Sequence, residues 1–233
     1  MRVAIHQPNY LPYIGYFQKM ARADIFVLLD TVQYSKDSYT QRVKIRTKDE
    51  WIWLTIPVEK SNNFKMIRDI RLPGDSKWKI KHKNSLEANY AKSPFFDKNF
   101  IDSYYTLSLD NLADFNEVGI RYLQEKFNLK AKIIRARDLH IDKELESSEL
   151  LMEIVKRSGG STYVSGPSGK QYLDKEMFSE NNIHLEFFEP EIQEYPQRWP
   201  GFQPYMSAID AVFNLNAEKG REYMDTGLTK ISS

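Results

Sequence analysis

Apolar positions in this chain recur at two periods, and the first thirty residues show both. Val3-Ala4-Ile5 is an apolar run of strand length. Pro8 and Pro12 interrupt the next stretch, His6 to Pro12, and forbid both helix and central strand there. From Tyr13 to Ala23 the residues Ile14, Phe17, Met20 and Ala21 fall at helical spacing, one buried face of an amphipathic helix. Ile25 to Leu29 is a second apolar run, closed by Asp30. Strand, loop, helix and strand in that order predict a parallel βαβ unit. Such units bind ligands where the loop leaves the carboxyl end of the first strand and enters the helix. His6 and Gln7 fall at that mouth, and Asp30 leaves the neighbouring strand at the same edge.

Later segments extend the pattern. Val43 to Arg46 and Trp51 to Ile56 are strand-like and flank Thr47 to Glu50, which predicts a hairpin. A short strand is expected within Ile67 to Leu72, before Pro73-Gly74. Ser76 is placed to cap a basic helix reaching Ala91, with Trp78, Leu86 and Tyr90 inward and His82 on the solvated face. Phe95, Phe96, Phe100, Tyr104 and Leu107 mark a second helical face. Asp110 or Asn111 caps a third helix, from Leu112 to Phe127. Residues 76–128 therefore read as a helical insertion in an α/β ligand-binding domain made of 1–75 and 129–233.

The α/β rhythm then resumes. Strands are predicted at Lys132 to Ala136, Ser161 to Val164 and Ile183 to Phe188. Between them lie a helix capped by Ser147 or Ser148 and stopped at Gly159-Gly160, and another from Gln171 to Glu180. Prolines at 190, 196, 200 and 204 keep the tail as coil until a helix near Met206 to Asn214. The fold class expected is α/β, a Rossmann-like parallel sheet opened by the βαβ unit.

Composition removes whole classes of function. Basic side chains number 33 and acidic ones 32, so no bulk field draws the chain to nucleic acid or an anionic membrane. Cysteine is absent, which excludes disulfides, zinc thiolates and a cysteine nucleophile. His140 and His184 have no partner at metal spacing, and no run reaches the ~20 apolar residues of a membrane span. A cytoplasmic protein acting on a small molecule is expected.

Three groups of residues carry candidate chemistry. His6 and Gln7 join an imidazole that titrates near neutrality to an amide that donates and accepts. In the same loop Asn9 and Tyr10 are candidate ligand contacts. Ser165-Gly166-Pro167-Ser168-Gly169-Lys170 links a strand to a helix with two hydroxyls, two glycines and a cation, the ingredients of an anion cradle. The spacing is not that of a P-loop, and a plain strand-to-helix turn is the alternative. Asp30, Gln33, Tyr34 and Arg42 would line the far side of the mouth. Trp199-Pro200 and Tyr205 could cover it, or simply pack the tail.

In combination, His6-Gln7-Pro8-Asn9-Tyr10-Leu11-Pro12-Tyr13-Ile14-Gly15-Tyr16-Phe17, Asp30 with Gln33-Tyr34, Trp53-Leu54 with Pro57-Val58, and Tyr163 with Ser165 to Gly169 resemble the WbqC-like family. The resemblance spans nearly the whole chain. It implies a bacterial protein of O-antigen or other surface-polysaccharide biosynthesis. A more distant similarity is to nucleotidyltransferases of the HIGH type, such as pantothenate synthetase, with Tyr13-Ile14-Gly15-Tyr16 where that signature carries its histidines. No catalytic assignment is carried over from the family; with the candidate site, the expected activity is that of a transferase or ligase forming an amide, ester or aminoacyl link on an activated amino sugar, the substrate being nucleotide-linked. His6 would orient or deprotonate the nucleophile, or hydrogen-bond a phosphate; Asp30 would orient the acceptor, and Ser165, Ser168 and Lys170 would hold an anionic donor. An adenylate donor would bring ATP and magnesium. The alternative is a non-catalytic nucleotide-sugar or glycan-binding component of a biosynthetic complex.

Overall fold

The computed structural model describes residues 1–59, 64–142 and 144–226, and the backbone of 231–232. The opening unit is β1 (Arg2–His6), α1 (Ile14–Met20) and β2 (Ile25–Leu28), with β1 and β2 parallel and Val3 opposite Ile25. β3 (Arg42–Arg46) and β4 (Trp51–Thr55) then form the expected antiparallel hairpin. Helices α2 (Lys77–Tyr90), α3 (Lys98–Thr106) and α4 (Leu112–Lys126) follow. Next come β5 (Lys132–Arg135), α5 (Ser147–Arg157), β6 (Thr162–Ser165), α6 (Lys175–Glu180) and β7 (His184–Phe188). The chain closes with α7 (Ala208–Asn214), α8 (Ala217–Thr226) and β8 (Ile231–Ser232). Among the described residues no helix is long and apolar enough to cross a membrane.

The main sheet has the order β5-β2-β1-β6-β7-β8, parallel except for β8. Strand alternation sorts its side chains onto two faces. Ala4, Phe26, Leu28 and Val164 join one apolar cluster with Phe17 of α1 and Phe115, Ile120 and Leu123 of α4. Val3, Ile5, Val27 and Tyr163 join the other with Leu151 and Ile154 of α5 and Phe178 of α6. Helices thus cover both faces of a Rossmann-like sheet. The chain leaves β1 for β2 and β5 on one side, and returns through β6 and β7 on the other. The β1–β6 boundary is therefore the switch point, where such sheets open a crevice beyond their carboxyl ends.

Several local expectations are corrected. Ile67 to Leu72 contains no strand but a 3₁₀ turn over Ile67–Asp69. The segment's amides bond to loops rather than to a strand ladder, Ile67 to the Val32 carbonyl and Leu72 to that of Asp110. Ser76 makes no side-chain cap; Asp75 accepts from the Lys77 amide instead, at 3.1 Å. Ser148 is no cap either, since its hydroxyl accepts the Asp174 amide. Pro167–Gln171 winds into a 3₁₀ turn, so α6 begins only at Lys175, capped by Asp174. Asn111 does cap α4, accepting from the Asp114 amide. His82 is not solvated: it is buried, with Nδ1 2.9 Å from the Tyr10 hydroxyl. α8 and β8 had no signal in the apolar pattern.

Candidate functional site

A cavity of about 410 Å³ opens at the carboxyl ends of β1 and β6, the size of a small-molecule site. The end of β1 supplies His6 and Gln7; α1 and its entry supply Tyr13, Gly15, Tyr16 and Lys19. The turn after β6 supplies Ser165, Gly166 and Ser168, with Tyr163 and Tyr172 beside it. Among the described residues that line it, none is a carboxylate.

His6 Nδ1 lies 3.2 Å from the Gln7 carbonyl oxygen. A carbonyl only accepts, so Nδ1 carries the proton and Nε2 presents a lone pair. The ring sits 4.6 Å from that of Tyr16, whose hydroxyl donates to the same Gln7 carbonyl. Burial, and after it the charge of Lys19, push the imidazole down to about 3. The neutral form therefore prevails at physiological pH.

Lys19 is buried, and its Nζ donates to the Ile5 carbonyl at 2.7 Å. Burial alone pushes its amine down to about 7. Among the described residues it makes no ion pair. Across the cavity Ser165 is buried with its hydroxyl donating to the Gly166 carbonyl at 3.3 Å, whereas Ser168 is exposed at the rim.

The structure brings together His6, Gln7, Ser165, Gly166 and Ser168 and leaves the other predicted site residues outside the lining. Asp30 is buried at the end of β2, with Arg137 Nε 2.8 Å from one oxygen and the Arg137 amide donating to the other. Burial pushes its carboxyl up while Arg137 pulls it down, the balance of a structural ion pair. Asn9 is buried away from the lining. Tyr10 is wholly buried, its hydroxyl shared with His82 and the Tyr105 hydroxyl. Gln33 is exposed and bridges to Met66, and the Tyr34 hydroxyl donates to Gln41. Arg42 stacks 4.4 Å over the Trp53 ring on the hairpin. Gly169 packs under Ser165, and Lys170 reaches Glu189 on the surface.

Sequence reasoning passed over Lys19, Tyr13, Tyr16 and Tyr172. The signal at Lys19 was weak: a lysine beside an apolar stripe, in a helix of which every residue proves buried. Tyr205 stands 6.2 Å from Tyr13, ring to ring, while the Pro200 carbonyl accepts from Arg46, so residues 199–200 pack the hairpin rather than the cavity. An adenylate donor would bring magnesium, a hard cation that prefers oxygen ligands. The cavity walls offer it no carboxylate, so these residues do not fit a protein-held magnesium, and no step is routed through one.

The model of the WbqC-like protein family matches residues 7–222, which takes in both walls of the cavity except Ile5 and His6, just ahead of it. The chain belongs to the WbqC-like protein family. This WbqC-like protein is also 30% identical over 223 residues to the uncharacterised protein Rv1507c of Mycobacterium tuberculosis, covering 93% of this chain and 95% of that one. No solved structure matches the chain.

Proposed function

We propose that this WbqC-like protein transfers an acyl or aminoacyl group to the amine of a nucleotide-linked amino sugar, in bacterial surface-polysaccharide biosynthesis. The observation that supports this is the cavity itself: carboxylate-free, at the sheet's switch point, with a neutral imidazole on one wall and hydroxyls on the other. Absence of carboxylates leaves no like charge to repel a diphosphate. Ser165 and Ser168 would hold its oxygens, and the tyrosine rings give flat surfaces for a sugar or base. Amide formation needs the sugar nitrogen held with its lone pair toward the acyl carbon. His6 Nε2, an acceptor, would take one N–H of that amine and orient it.

Binding without turnover is the second reading. An imidazole pushed down to about 3 is a weak base at neutral pH, which favours holding a ligand over moving its proton. One experiment separates the two. Thermal unfolding with UDP-linked amino sugars, ATP and coenzyme A should show stabilisation by the first, followed by assay of amide product with acyl and aminoacyl donors. His6→Gln should lower turnover by ~10²-fold with the unfolding temperature little changed. Binding with no product from any donor selects the second reading, and no shift with any nucleotide sugar removes both.

A further inference from the structure

The lining of this cavity contains one side chain whose chemistry neither reading employs. Lys19 reaches the wall from α1, one turn beyond Gly15, on the side of the helix that faces the cavity. Gly15 leaves that turn without a side chain, because a Cβ there would meet the Tyr13 ring at 2.5 Å and Pro190 at 2.7 Å. The lysine stem is packed, and among the described residues its nitrogen is held by one hydrogen bond, to the Ile5 carbonyl. An ammonium has three N–H groups to satisfy, whereas a neutral amine needs fewer partners and keeps a lone pair. With no carboxylate in the lining, nothing there stabilises the charged form against burial.

We propose that Lys19 is a covalent anchor, its Nζ condensing with an aldehyde or ketone ligand in this cavity to give an imine. The neutral amine attacks the carbonyl carbon, forming a C–N bond as the C=O π pair moves to oxygen. Both amine protons pass in turn to that oxygen, which leaves as water as C=N forms. No oxidant or reductant takes part, and the net change is amine plus carbonyl to imine plus water. Burial that pushes this amine down to about 7 keeps a large share of it nucleophilic at neutral pH, where exposed lysines near 10.4 are almost wholly protonated. The Ile5 carbonyl fixes the nitrogen's position, and the exposed rim at Ser168 and Tyr172 gives a ligand its way in. This inference goes beyond acyl transfer and stands or falls without it, since the adduct is read with no turnover.

The test uses the full chain, glyoxylate as the carbonyl probe and sodium cyanoborohydride to reduce the imine, with intact mass and peptide mapping as readouts. At pH 7 the first equivalent should fall on Lys19, at least ~10-fold faster than on any exposed lysine, and the rate should fall below that pH. Lys19→Met should lose that adduct while keeping the parent's circular dichroism and an unfolding temperature no lower than the parent's at pH 7. Labelling spread evenly over surface lysines, or Lys19 reacting only above pH 9, would overturn the proposal. Should Lys19→Met fail to fold, site occupancy in the parent decides between the same two outcomes.

Discussion

At Lys19 the fold takes an amine out of water and gives it a carbonyl in place of a counter-ion, so its charged form is held at a cost. The sign of the linkage follows. Between the folded value of about 7 and the ordinary lysine value the unfolded chain binds more protons, so stability rises with pH across that window. Over pH 7 to 9 the gain from this one group is ~2 kcal/mol. Lys19→Met should remove that slope and leave the variant more stable than the parent at pH 7, as measured by urea denaturation at pH 7, 8 and 9. Equal slopes in the two proteins would mean that the amine is solvated. His6 works in the same sense lower down: its pKa is depressed to about 3, so its neutral form's advantage is lost as pH falls from the ordinary imidazole value toward 3. The sequence placed His6 because it ends an apolar strand. Lys19 escaped because helical spacing reports which residues are buried by apolarity, and lysine enters a core too rarely to be read that way.

Among the elements, the turn after β6 shows what a motif read from composition leaves open. Its two glycines look equivalent in sequence, yet a Cβ on Gly166 would meet nothing within 4 Å while one on Gly169 would lie 2.1 Å from the Ser165 hydroxyl oxygen and 2.9 Å from Leu173. Gly169 is thus the residue that lets Ser165 sit under the turn and face the cavity. Gly169→Ala should cost roughly 1–3 kcal/mol and displace that hydroxyl, whereas Gly166→Ala should stay within about 0.5 kcal/mol of the parent. Urea denaturation of both variants measures the difference, and equal effects would show that the turn adapts freely. Strands with five or so consecutive apolar residues, and helices with a long regular stripe such as Leu112 to Leu123, were legible because burial on a periodic surface leaves a periodic trace. The Ile67–Asp69 turn was not, because β-branched residues in a short run suit a strand equally well until the loops they bond to are known. The same limit applied to Tyr10 and Asp30. Each is polar and beside the mouth in sequence, but each is drawn into the interior by a partner far along the chain, His82 for one and Arg137 for the other.

On the scale of the molecule, the loop that carries the cavity's first wall is held from the opposite end of the chain. Leu11 has φ of 39°, in the left-handed region that a leucine adopts only at a cost of ~1 kcal/mol. What holds it there is the start of α7. The Ser207 hydroxyl donates to the Leu11 carbonyl at 2.7 Å, the Ala208 amide to the Pro12 carbonyl at 2.8 Å, and the Ser207 amide to the Lys44 carbonyl at 2.8 Å. Ser207 oxygen also accepts the Ile209 amide, capping α7. One wholly buried residue therefore ties three parts together, its hydroxyl joining the His6 loop to the start of α7 and its amide joining both to the β3–β4 hairpin. Ser207→Ala leaves the Leu11 carbonyl without its donor and α7 without its cap, and should lower the unfolding free energy by roughly 1–3 kcal/mol. Hydrogen exchange localises the effect: the Tyr10 amide, bonded to the Tyr39 carbonyl, and the Tyr16 amide, bonded to that of Tyr13, should exchange faster in the variant by more than the global loss predicts. If both amides slow or stay unchanged relative to the global loss, the loop keeps its shape through Leu11 packing alone, and the geometry of His6 does not depend on the tail.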